Sequence, residues 1–246
     1  MNLIEAHSLS KNFGGIQALL DVKFSVQQGE IVGLIGANGA GKTTLFSVIS
    51  GFYRPDSGEV TFNGQDITGK KPFEICRLGL VRTFQVVKPF LNMTVRKNVM
   101  VGKLFGRSRI TKKETAKIKA DEIIEFVGLG DKSDVPAREL TLADHKRLEI
   151  ARSLSADPDL LLLDEVLAGL TPTETSDAMK LVENIRQRGI AILMVEHVMK
   201  AVVGLCDRIM VLHYGCKIAE GSPKEVVENP EVIEAYLGEN LNVCEP

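Results

Sequence analysis

The sequence lacks the features that would place it across a membrane or outside the cell. It has no apolar run of the roughly 20 residues that a helix needs to span a bilayer. Residues 1–5 contain neither a basic stretch nor the start of an apolar core, so they do not predict a secretory signal. The cysteines, Cys76, Cys206, Cys216 and Cys244, form no C-x-x-C pair. This spacing favours reduced thiols in a cytosolic protein over a disulfide framework or a zinc site.

The sequence also lacks a strong net charge, an internal repeat and a low-complexity tract. Its net charge of −2 at pH 7 gives no basic field of the kind that nucleic-acid-binding proteins carry. What it has is the composition of an ordinary globular protein, with 44% hydrophobic and 25% charged residues. At 246 residues, the chain is long enough for one large domain or two small ones.

The most informative stretch is glycine-rich and fits the P-loop pattern G-x-x-x-x-G-K-[ST] from Gly36 to Thr43. An apolar run, Ile31–Ile35, precedes it, and a predicted helix follows. The glycines let backbone N–H groups point at phosphate oxygens, and the helix N-terminus adds the positive end of its dipole. Lys42 can reach the β- and γ-phosphates, and the Thr43 hydroxyl can ligate Mg²⁺. The residues expected to bind the nucleotide here are Gly36, Ala37, Asn38, Gly39, Ala40, Gly41, Lys42, Thr43 and Thr44.

Two further segments place polar residues directly after predicted buried strands. Leu160–Leu163 is followed by Asp164 and Glu165, and another apolar run is followed shortly by His197. Because ligands collect at the carboxyl ends of parallel strands, we expect Asp164 beside the Mg²⁺ that Thr43 holds. Glu165 can polarise the water that attacks the γ-phosphate, and His197 can donate to that phosphate. Taken singly, Asp164 would be a helix N-cap or turn residue, and His197 a loop histidine.

The pattern along the chain predicts an α/β fold with a helical insertion. Short alternating runs before the P-loop predict antiparallel strands. In the insertion, apolar residues recur at helical spacing and no strand-like run appears. Residues 106–113 form a basic loop there; a solvated loop is the simpler interpretation, and contact with lipid headgroups or a partner is the alternative. We therefore expect a single domain with a core at 1–85 and 151–221, a helical subdomain at 86–150, and C-terminal helices at 222–246.

The order of the motifs along the chain, from the P-loop through Asp164-Glu165 to His197, resembles that in the ATP-binding subunit of an ATP-binding-cassette (ABC) transporter. The resemblance covers nearly the whole chain. Within that superfamily, the sequence is most similar to the ATPases of branched-chain amino-acid-type importers. The stretches that carry the resemblance are Phe13–Leu19, Arg82–Gln85, Met93–Val95, Arg208–Leu212, Ile218–Gly221 and Pro230–Gly238. The last of these is the most family-specific.

The resemblance implies a fold and a set of roles. The fold is that of an ABC-type P-loop NTPase, an α/β core with an antiparallel β subdomain and an inserted α-helical subdomain. Phe13, which by itself is either a base-stacking aromatic or a half-buried loop residue, would stack on the nucleotide base. Gln85 would contact Mg²⁺ or its water and hinge the insertion, and residues 86–102 would dock a membrane-spanning subunit. The implied cofactors are ATP and Mg²⁺, and the implied catalytic residues are Glu165, His197, Gln85 and Lys42.

The sequence departs from the family at the signature that contacts the γ-phosphate bound to the opposite subunit. Where the family has Leu-Ser-x-Gly-Gln, this chain has Leu140-Thr141-Leu142-Ala143-Asp144. Ala143 removes a glycine, and Asp144 adds a negative charge that Lys146 or Arg147 would have to compensate. A structural interpretation competes, because Thr141-x-x-Asp144 is a suitable capping box for the helix that follows.

The altered signature would act on a partner's nucleotide, because ABC ATPases bind two ATPs between two subunits. We therefore expect a heterodimer with one strong site, built on this chain, and one weak site; a homodimer with two impaired sites is the alternative. Two neighbouring positions also depart from the family, since Val166 replaces the usual proline and Thr171 the usual aspartate or asparagine. Polytopic permease subunits and, indirectly, an extracytoplasmic solute-binding protein are the other expected partners, with no nucleic acid. They would hold the chain at the cytoplasmic face of the membrane.

The leading functional hypothesis is an ATPase subunit that energises uptake of branched-chain or related amino acids. A non-transport ABC ATPase with an assembly role is one alternative, and a regulatory subunit that binds ATP but barely hydrolyses it is another. A P-loop kinase or GTPase is disfavoured, because no Asn-Lys-x-Asp guanine-reading motif follows the P-loop.

Overall fold

The computed structural model describes residues 2–84 and 89–237, with side chains described as far as Ala235. In chain order the elements are β1 (Asn2–Phe13), β2 (Ile16–Gln27), β3 (Ile31–Ile35), α1 (Lys42–Ile49), β4 (Ser57–Phe62), β5 (Gln65–Asp66), α2 (Pro72–Leu78), β6 (Leu80–Arg82), α3 (Val95–Phe105), α4 (Lys113–Phe126), α5 (Leu142–Leu154), β7 (Leu160–Asp164), α6 (Pro172–Gln187), β8 (Ala191–Val195), α7 (Met199–Leu205), β9 (Arg208–His213), β10 (Cys216–Gly221), α8 (Pro223–Glu228) and α9 (Pro230–Leu237). The chain divides into two compact units, residues 1–75 with 191–246, and residues 76–190.

The first unit contains an antiparallel sheet in the order β2-β1-β4-β5. A tight turn closes the β1–β2 hairpin where Phe13 pairs with Ile16, and Gly14 in this turn has a positive φ of 58°. Asn63 and Gly64, which join β4 to β5, have φ values of 51° and 72°. Positive φ at both central residues is typical of the two-residue hairpin turn that an Asn-Gly pair predicts. The expected antiparallel β subdomain is therefore present.

The first unit also contains strands that pair in parallel on both sides of β3. Leu34 of β3 pairs with Val195 of β8, and Ile35 pairs with Val211 of β9, while β10 runs antiparallel to β9. Every residue of β3 and β8 is buried, which is typical of parallel strands covered on both faces. This register places the carboxyl ends of β3, β8 and β9 along one edge.

The second unit combines a parallel strand pair with helices. Leu80 of β6 pairs with Leu160 of β7, and all five residues of β7 are buried. Three longer helices, α3, α4 and α5, pack together, as the helical spacing of the insertion predicts. The end of α3 lies close to the residues that follow α5, because a Cβ atom on Gly106 would come within 2.7 Å of Ala156 Cα.

The predicted elements are all found, with differences at their ends. β1 continues to Phe13, and β2 already begins at Ile16. Both strands extend further toward the turn than their apolar alternation predicts, because exposed residues there pair through the backbone. The run from Leu80 to Phe84 predicts a strand over those residues, but β6 ends at Arg82. Residues 85–88, which include Gln85, lie outside the described residues, and so does Gly238, where the sequence predicts the end of the last helix. No helix in the described part of the chain combines the length and apolarity that a membrane span requires.

The cysteines only partly follow the expectation of reduced thiols. Cys76 and Cys206 are free, and burial raises the pKa of the Cys206 thiol to about 12. Cys216 is disulfide-bonded, so the prediction was wrong for this residue. The spacing argument weighed only cysteines close together in sequence and gave no information on distant pairs. Cys244 lies outside the described residues.

Candidate functional site

The P-loop joins β3 to α1, and its backbone conformation requires glycine at positions 36 and 41. Gly36 and Gly41 have φ values of 151° and 103°. A Cβ atom at Gly36 would lie 2.2 Å from the carbonyl oxygen of Leu212, and one at Gly41 would lie 2.5 Å from that of Ala18. Both glycines are therefore required by close backbone contacts as well as by their φ angles.

The loop exposes donors suited to an anion. Ala37, Asn38 and Gly39 are exposed, and so is Thr43 in the first turn of α1. The first N–H groups of a helix have no intrahelical acceptor, and Gly41 at the N-cap offers no side chain to satisfy them. Phosphate oxygens are the ligands that such an arrangement binds.

Lys42 folds back over the loop. It is 7% exposed, and its Nζ donates hydrogen bonds to the carbonyl oxygens of Gly36 at 2.7 Å and Ala37 at 3.0 Å. These contacts hold the ammonium group against the loop that is expected to bind phosphate.

His197 lies at the same sheet edge as the P-loop. Leu34, two residues before Gly36, pairs with Val195, two residues before His197. The His197 side chain is exposed. Within the first unit, the structure therefore brings together the two segments that the sequence assigned to the triphosphate.

Phe13 lies at the end of β1 and is 40% exposed. Its ring meets the edge of Tyr53 with 5.1 Å between centroids, and the Lys11 ammonium lies 5.5 Å from the Phe13 centroid. A half-exposed aromatic face can stack on a base, so the prediction for Phe13 stands as a prediction. The sequence analysis missed Tyr53, whose contact with Phe13 joins residues distant in sequence.

Asp164, in the second unit, ends β7 and is 3% exposed. Its Oδ2 accepts a hydrogen bond from Nη2 of Arg82 at 2.8 Å, and both side chains are buried. Its backbone N–H donates to Oγ1 of Thr83 at 2.9 Å. The contact of Arg82 with Asp164 was not predicted from the sequence, because only the parallel register of β6 and β7 brings the two residues together.

Glu165 has a φ of 51°, which is uncommon for a residue with a side chain. Its carbonyl oxygen accepts a hydrogen bond from Nζ of Lys146 at 2.9 Å. Lys146 lies on α5, the helix that follows the altered signature. It therefore fixes the backbone of the residue expected to polarise water.

The signature segment forms the capping box that the sequence offered as an alternative. Thr141 Oγ1 accepts from the Asp144 N–H, and Asp144 Oδ2 accepts from the Thr141 N–H and hydroxyl group. Lys132 Nζ also donates to Asp144 Oδ2, at 2.7 Å. Burial alone would raise the pKa of Asp144, but hydrogen bonds from Lys132 and Thr141 outweigh it and lower that pKa.

The charge of Asp144 is compensated by a different residue from those expected. Lys132 supplies the cation, whereas Lys146 donates to the Glu165 carbonyl and Arg147 to that of Gly128. The compensation that the sequence analysis required of Lys146 or Arg147 therefore comes from Lys132, because the positions of Lys146 and Arg147 on the helix direct them to neighbouring carbonyls. Two other departures are structural here, since Val166 is buried and Thr171 caps α6 through a second capping box with Glu174.

Glu149, on α5, contacts the segment that leads to Gln85. Its Oε1 accepts a hydrogen bond from the Phe84 N–H at 2.6 Å. Its Oε2 is buried and has no hydrogen-bond partner among the described residues. Burial raises the pKa of the Glu149 carboxyl group. The sequence analysis missed this residue, because a single glutamate in a helical pattern is typical of a solvated face.

The predicted Mg²⁺ ligands have suitable chemistry. Thr43 and Asp164 both offer oxygen atoms, which Mg²⁺ prefers; they belong to different units, and Gln85 lies outside the described residues. In the described part of the chain, no three His, Cys, Asp or Glu residues cluster as a metal site.

Comparison with known proteins gives a family. A profile described as "ABC transporter" matches residues 19–168, and one described as "Branched-chain amino acid ATP-binding cassette transporter" matches residues 216–241. The chain is 40% identical over 247 residues to a probable branched-chain amino acid transport ATP-binding protein, LivG, of Archaeoglobus fulgidus, covering 97% of this chain and 96% of that protein. The high-affinity LivG protein of Escherichia coli is 39% identical over 250 residues, covering 96% and 98%.

Solved structures agree with the sequence relatives. A nucleotide-free ATP-binding cassette from an ABC transporter matches with a TM-score of 0.89 and 35% identity, covering 97% of this chain and 100% of that one. The ADP conformation of MJ1267, another ABC transporter cassette, matches with a TM-score of 0.88, 35% identity and the same coverage. The chain therefore belongs to the ABC transporter family, and its fold is that of the family's ATP-binding cassette.

Proposed function

We propose that this chain is the ATP-hydrolysing subunit of an importer for branched-chain or related amino acids. The observation that carries the proposal is its near-full-length similarity to proteins named as branched-chain amino acid transport ATP-binding proteins. The match of residues 216–241 to the branched-chain amino acid cassette profile supports the same solute class. The P-loop geometry supports ATP binding.

Residues of the first unit would bind the nucleotide. Backbone N–H groups of the P-loop and of the first turn of α1 would surround the β- and γ-phosphates. Lys42 would exchange the carbonyls of Gly36 and Ala37 for phosphate oxygens. Phe13 would stack on the base, and His197 would donate a hydrogen bond to the γ-phosphate.

Residues of the second unit would supply the hydrolytic groups. Asp164, with Thr43, would hold Mg²⁺, and Gln85 would contact the cation or its water. The bound Mg²⁺ supplies charge neutralisation at the β- and γ-phosphates. Glu165 would orient and polarise the attacking water, while Lys146 keeps the Glu165 backbone in place. The hydrogen bond from Arg82 would hold the Asp164 carboxylate in one orientation at this site.

The proposed assembly contains a second ATPase subunit and polytopic permease subunits, with an extracytoplasmic solute-binding protein as an indirect partner. It would place this chain at the cytoplasmic face of the membrane, with residues 86–102 as the permease-docking segment. A heterodimer is proposed because Ala143 replaces a signature glycine that would approach the partner's γ-phosphate. Asp144 contributes little to that argument, since Lys132 and Thr141 already bind its carboxylate.

A regulatory subunit that binds ATP and barely hydrolyses it is the second candidate function, and Ala143 is the observation that favours it. A single reconstitution separates the two functions. The complete transporter is placed in proteoliposomes, and ATP hydrolysis is measured with the binding protein empty or loaded with leucine, isoleucine or valine. We expect several-fold stimulation by a loaded binding protein.

The matched variants are Lys42→Ala, which removes the phosphate contact, and Lys224→Ala, which removes an exposed lysine of α8. We expect Lys42→Ala to abolish the stimulated hydrolysis and Lys224→Ala to leave it unchanged. If loading the binding protein with leucine, isoleucine or valine leaves the rate of ATP hydrolysis unchanged, the proposed solute class is refuted. Hydrolysis that survives Lys42→Ala would refute the hydrolytic role of this chain.

A further inference from the structure

The connection between α3 and α4 holds a concentration of positive charge. Residues 103–119 contain seven lysines and arginines and one glutamate, a net charge of +6 in a chain whose total is −2. The rest of the molecule is therefore acidic. Such a local excess needs an explanation beyond the ordinary mixing of charges on a soluble surface.

Part of this positive charge holds the connection to the rest of the second unit through ion pairs. Lys103 is buried and pairs with Asp157, and Arg107 pairs with Asp159 at 2.7 Å. The Ile110 N–H donates to the Lys103 carbonyl oxygen at 2.9 Å. These contacts fix the loop against the end of α3 and the residues that follow α5, so its outer side chains have a defined support.

The remaining charge points into solvent. Arg109, Lys112, Lys113 and Lys117 are exposed, and none of them forms an ion pair with a described residue. Lys119, two residues further along α4 than Lys117, is paired with Glu122. The four unpaired cations therefore lie together on the loop and the first turns of α4, and acidic side chains of the described chain do not neutralise them.

Two large apolar side chains accompany the four cations. Phe105, at the end of α3, is 69% exposed, and Ile118, in α4, is 59% exposed. A cleft of about 610 Å³ is lined by other residues of α3, the loop and α4, including Lys103, Ile110 and Thr115, together with residues that follow α5. The six exposed side chains lie outside this cleft, within the short segment from Phe105 to Ile118.

We propose that Phe105, Ile118, Arg109, Lys112, Lys113 and Lys117, together the basic patch, bind the surface of an anionic lipid bilayer. Unpaired lysines and arginines are attracted to anionic headgroups within about one Debye length. Exposed apolar side chains among them gain free energy by entering the boundary between headgroups and acyl chains. A purely solvated loop accounts for the cations but not for a phenylalanine left exposed beside them. The patch contains no residue of the proposed nucleotide site, so the inference does not rest on ATP hydrolysis.

The experiment uses the purified full chain and protein-free vesicles, either of phosphatidylcholine alone or of phosphatidylcholine mixed with phosphatidylglycerol. We expect co-sedimentation with the anionic vesicles alone, and loss of that binding as the salt concentration rises. Changing Arg109, Lys112, Lys113 and Lys117 together to glutamine should weaken binding about tenfold or more. Phe105→Ser should weaken it without any change of charge.

The matched control changes four exposed cations elsewhere, Arg54, Lys71, Lys200 and Lys224, to glutamine, so that the net charge falls by the same amount. We expect the control to bind anionic vesicles within about twofold of wild type. All the variants should bind a fluorescent ATP analogue as wild type does. This control shows that folding and nucleotide binding are intact, independently of vesicle binding. The inference is overturned if wild type does not bind protein-free anionic vesicles, which is the result expected if the patch binds an acidic protein segment instead. It is equally overturned if the control weakens binding as much as the patch variant.

Discussion

Asp164 shows how one side chain can serve both stability and a proposed catalytic role. Its carboxylate is 4% exposed and pairs with Arg82, whose side chain is 7% exposed. Removing one partner of a buried ion pair leaves the other charge without compensation. Arg82 is thus the residue through which the Asp164 carboxylate, a proposed metal ligand, can be perturbed without being replaced.

We expect Arg82→Met to lower the free energy of unfolding by about 3 kcal/mol, because Asp164 would remain buried without its partner. Urea denaturation followed by circular dichroism measures the change. Arg54→Met, at an exposed arginine, is the control and should lie within about 0.5 kcal/mol of wild type. A loss at position 82 no larger than the control's would show that the pair contributes little.

Glu149 makes the stability depend on pH. Burial raises the pKa of its carboxyl group, so the folded chain binds this proton more tightly than the unfolded chain does. The contribution of Glu149 to stability is therefore greatest below its unfolded pKa and falls as pH rises through the raised, folded pKa. Glutamine would keep an acceptor for the Phe84 N–H without a charge to bury.

We expect Glu149→Gln to match wild type in melting temperature near pH 4 and to exceed it near pH 8, since only the carboxylate bears the cost of burial. Differential scanning calorimetry at the two pH values measures this. Glu228→Gln, at an exposed glutamate, should shift the melting temperature little at either pH. A Glu149→Gln protein that is less stable than wild type at both would mean that the carboxylate has an essential partner.

The candidate site was predictable from the sequence where its residues lie close together along the chain. The P-loop, Asp164-Glu165 and His197 follow strands whose apolar runs are visible in the sequence. The contacts of Arg82 with Asp164, of Lys132 with Asp144 and of Lys146 with Glu165 were not predicted, because each joins residues 12 to 82 positions apart. Such contacts depend on register and helix packing, which local spacing does not encode.

In the part of the chain that the structure describes, three helices begin with capping boxes. α5 uses Thr141 with Asp144, and α8 uses Ser222 with Glu225; α6 begins in the same way. Hydrogen bonds to the cap residues lower the pKa values of Glu174 and Glu225, as they do for Asp144 against the effect of burial. A lowered pKa stabilises the fold above the unfolded value and ceases to do so as pH falls through the folded one, so acid weakens all three helix starts.

We expect Thr141→Ala to lower the free energy of unfolding by about 1 kcal/mol, because the Asp144 N–H and carboxylate both lose a partner. Thr141→Ser keeps the hydroxyl and should stay close to wild type. Chemical denaturation of both variants measures the difference. Equal stability of the alanine and serine variants would show that α5 does not depend on this cap.

Element types were predictable in more detail than element ends. The Asn63-Gly64 hairpin, the strand ending in Asp164 and the helix starting after Thr171 all follow local residue preferences. The strands β1 and β2 extend beyond their apolar alternation, because backbone pairing across Gly14 and Gly15 continues where side chains are exposed. Backbone pairing of this kind cannot be predicted from the pattern of apolar and polar side chains.

At the scale of the whole molecule, the P-loop belongs to one compact unit and Glu165 to the other. The proposed heterodimer adds a further chain, whose signature would complete the nucleotide site of this one. Hydrolysis by the assembled transporter is then the property that distinguishes one strong site from two moderate ones.

We expect Glu165→Gln in this chain to reduce hydrolysis by the assembled transporter to a few per cent, because the strong site loses the group that polarises water. Steady-state phosphate release in proteoliposomes measures it. The equivalent glutamate substitution in the other ATPase subunit is the matched control and should leave most of the activity. Hydrolysis within about twofold of wild type after Glu165→Gln would contradict the asymmetric arrangement.

The edge-on contact of Phe13 with Tyr53 also has an optical consequence. The sequence contains no tryptophan and three tyrosines, so an indole at position 13 would be the only one in the molecule. Its emission could be excited selectively, and the neighbouring phenol ring 5.1 Å away offers an energy donor when tyrosine is excited. Phe13→Trp therefore gives the cassette a single fluorophore at the place where a base is proposed to stack.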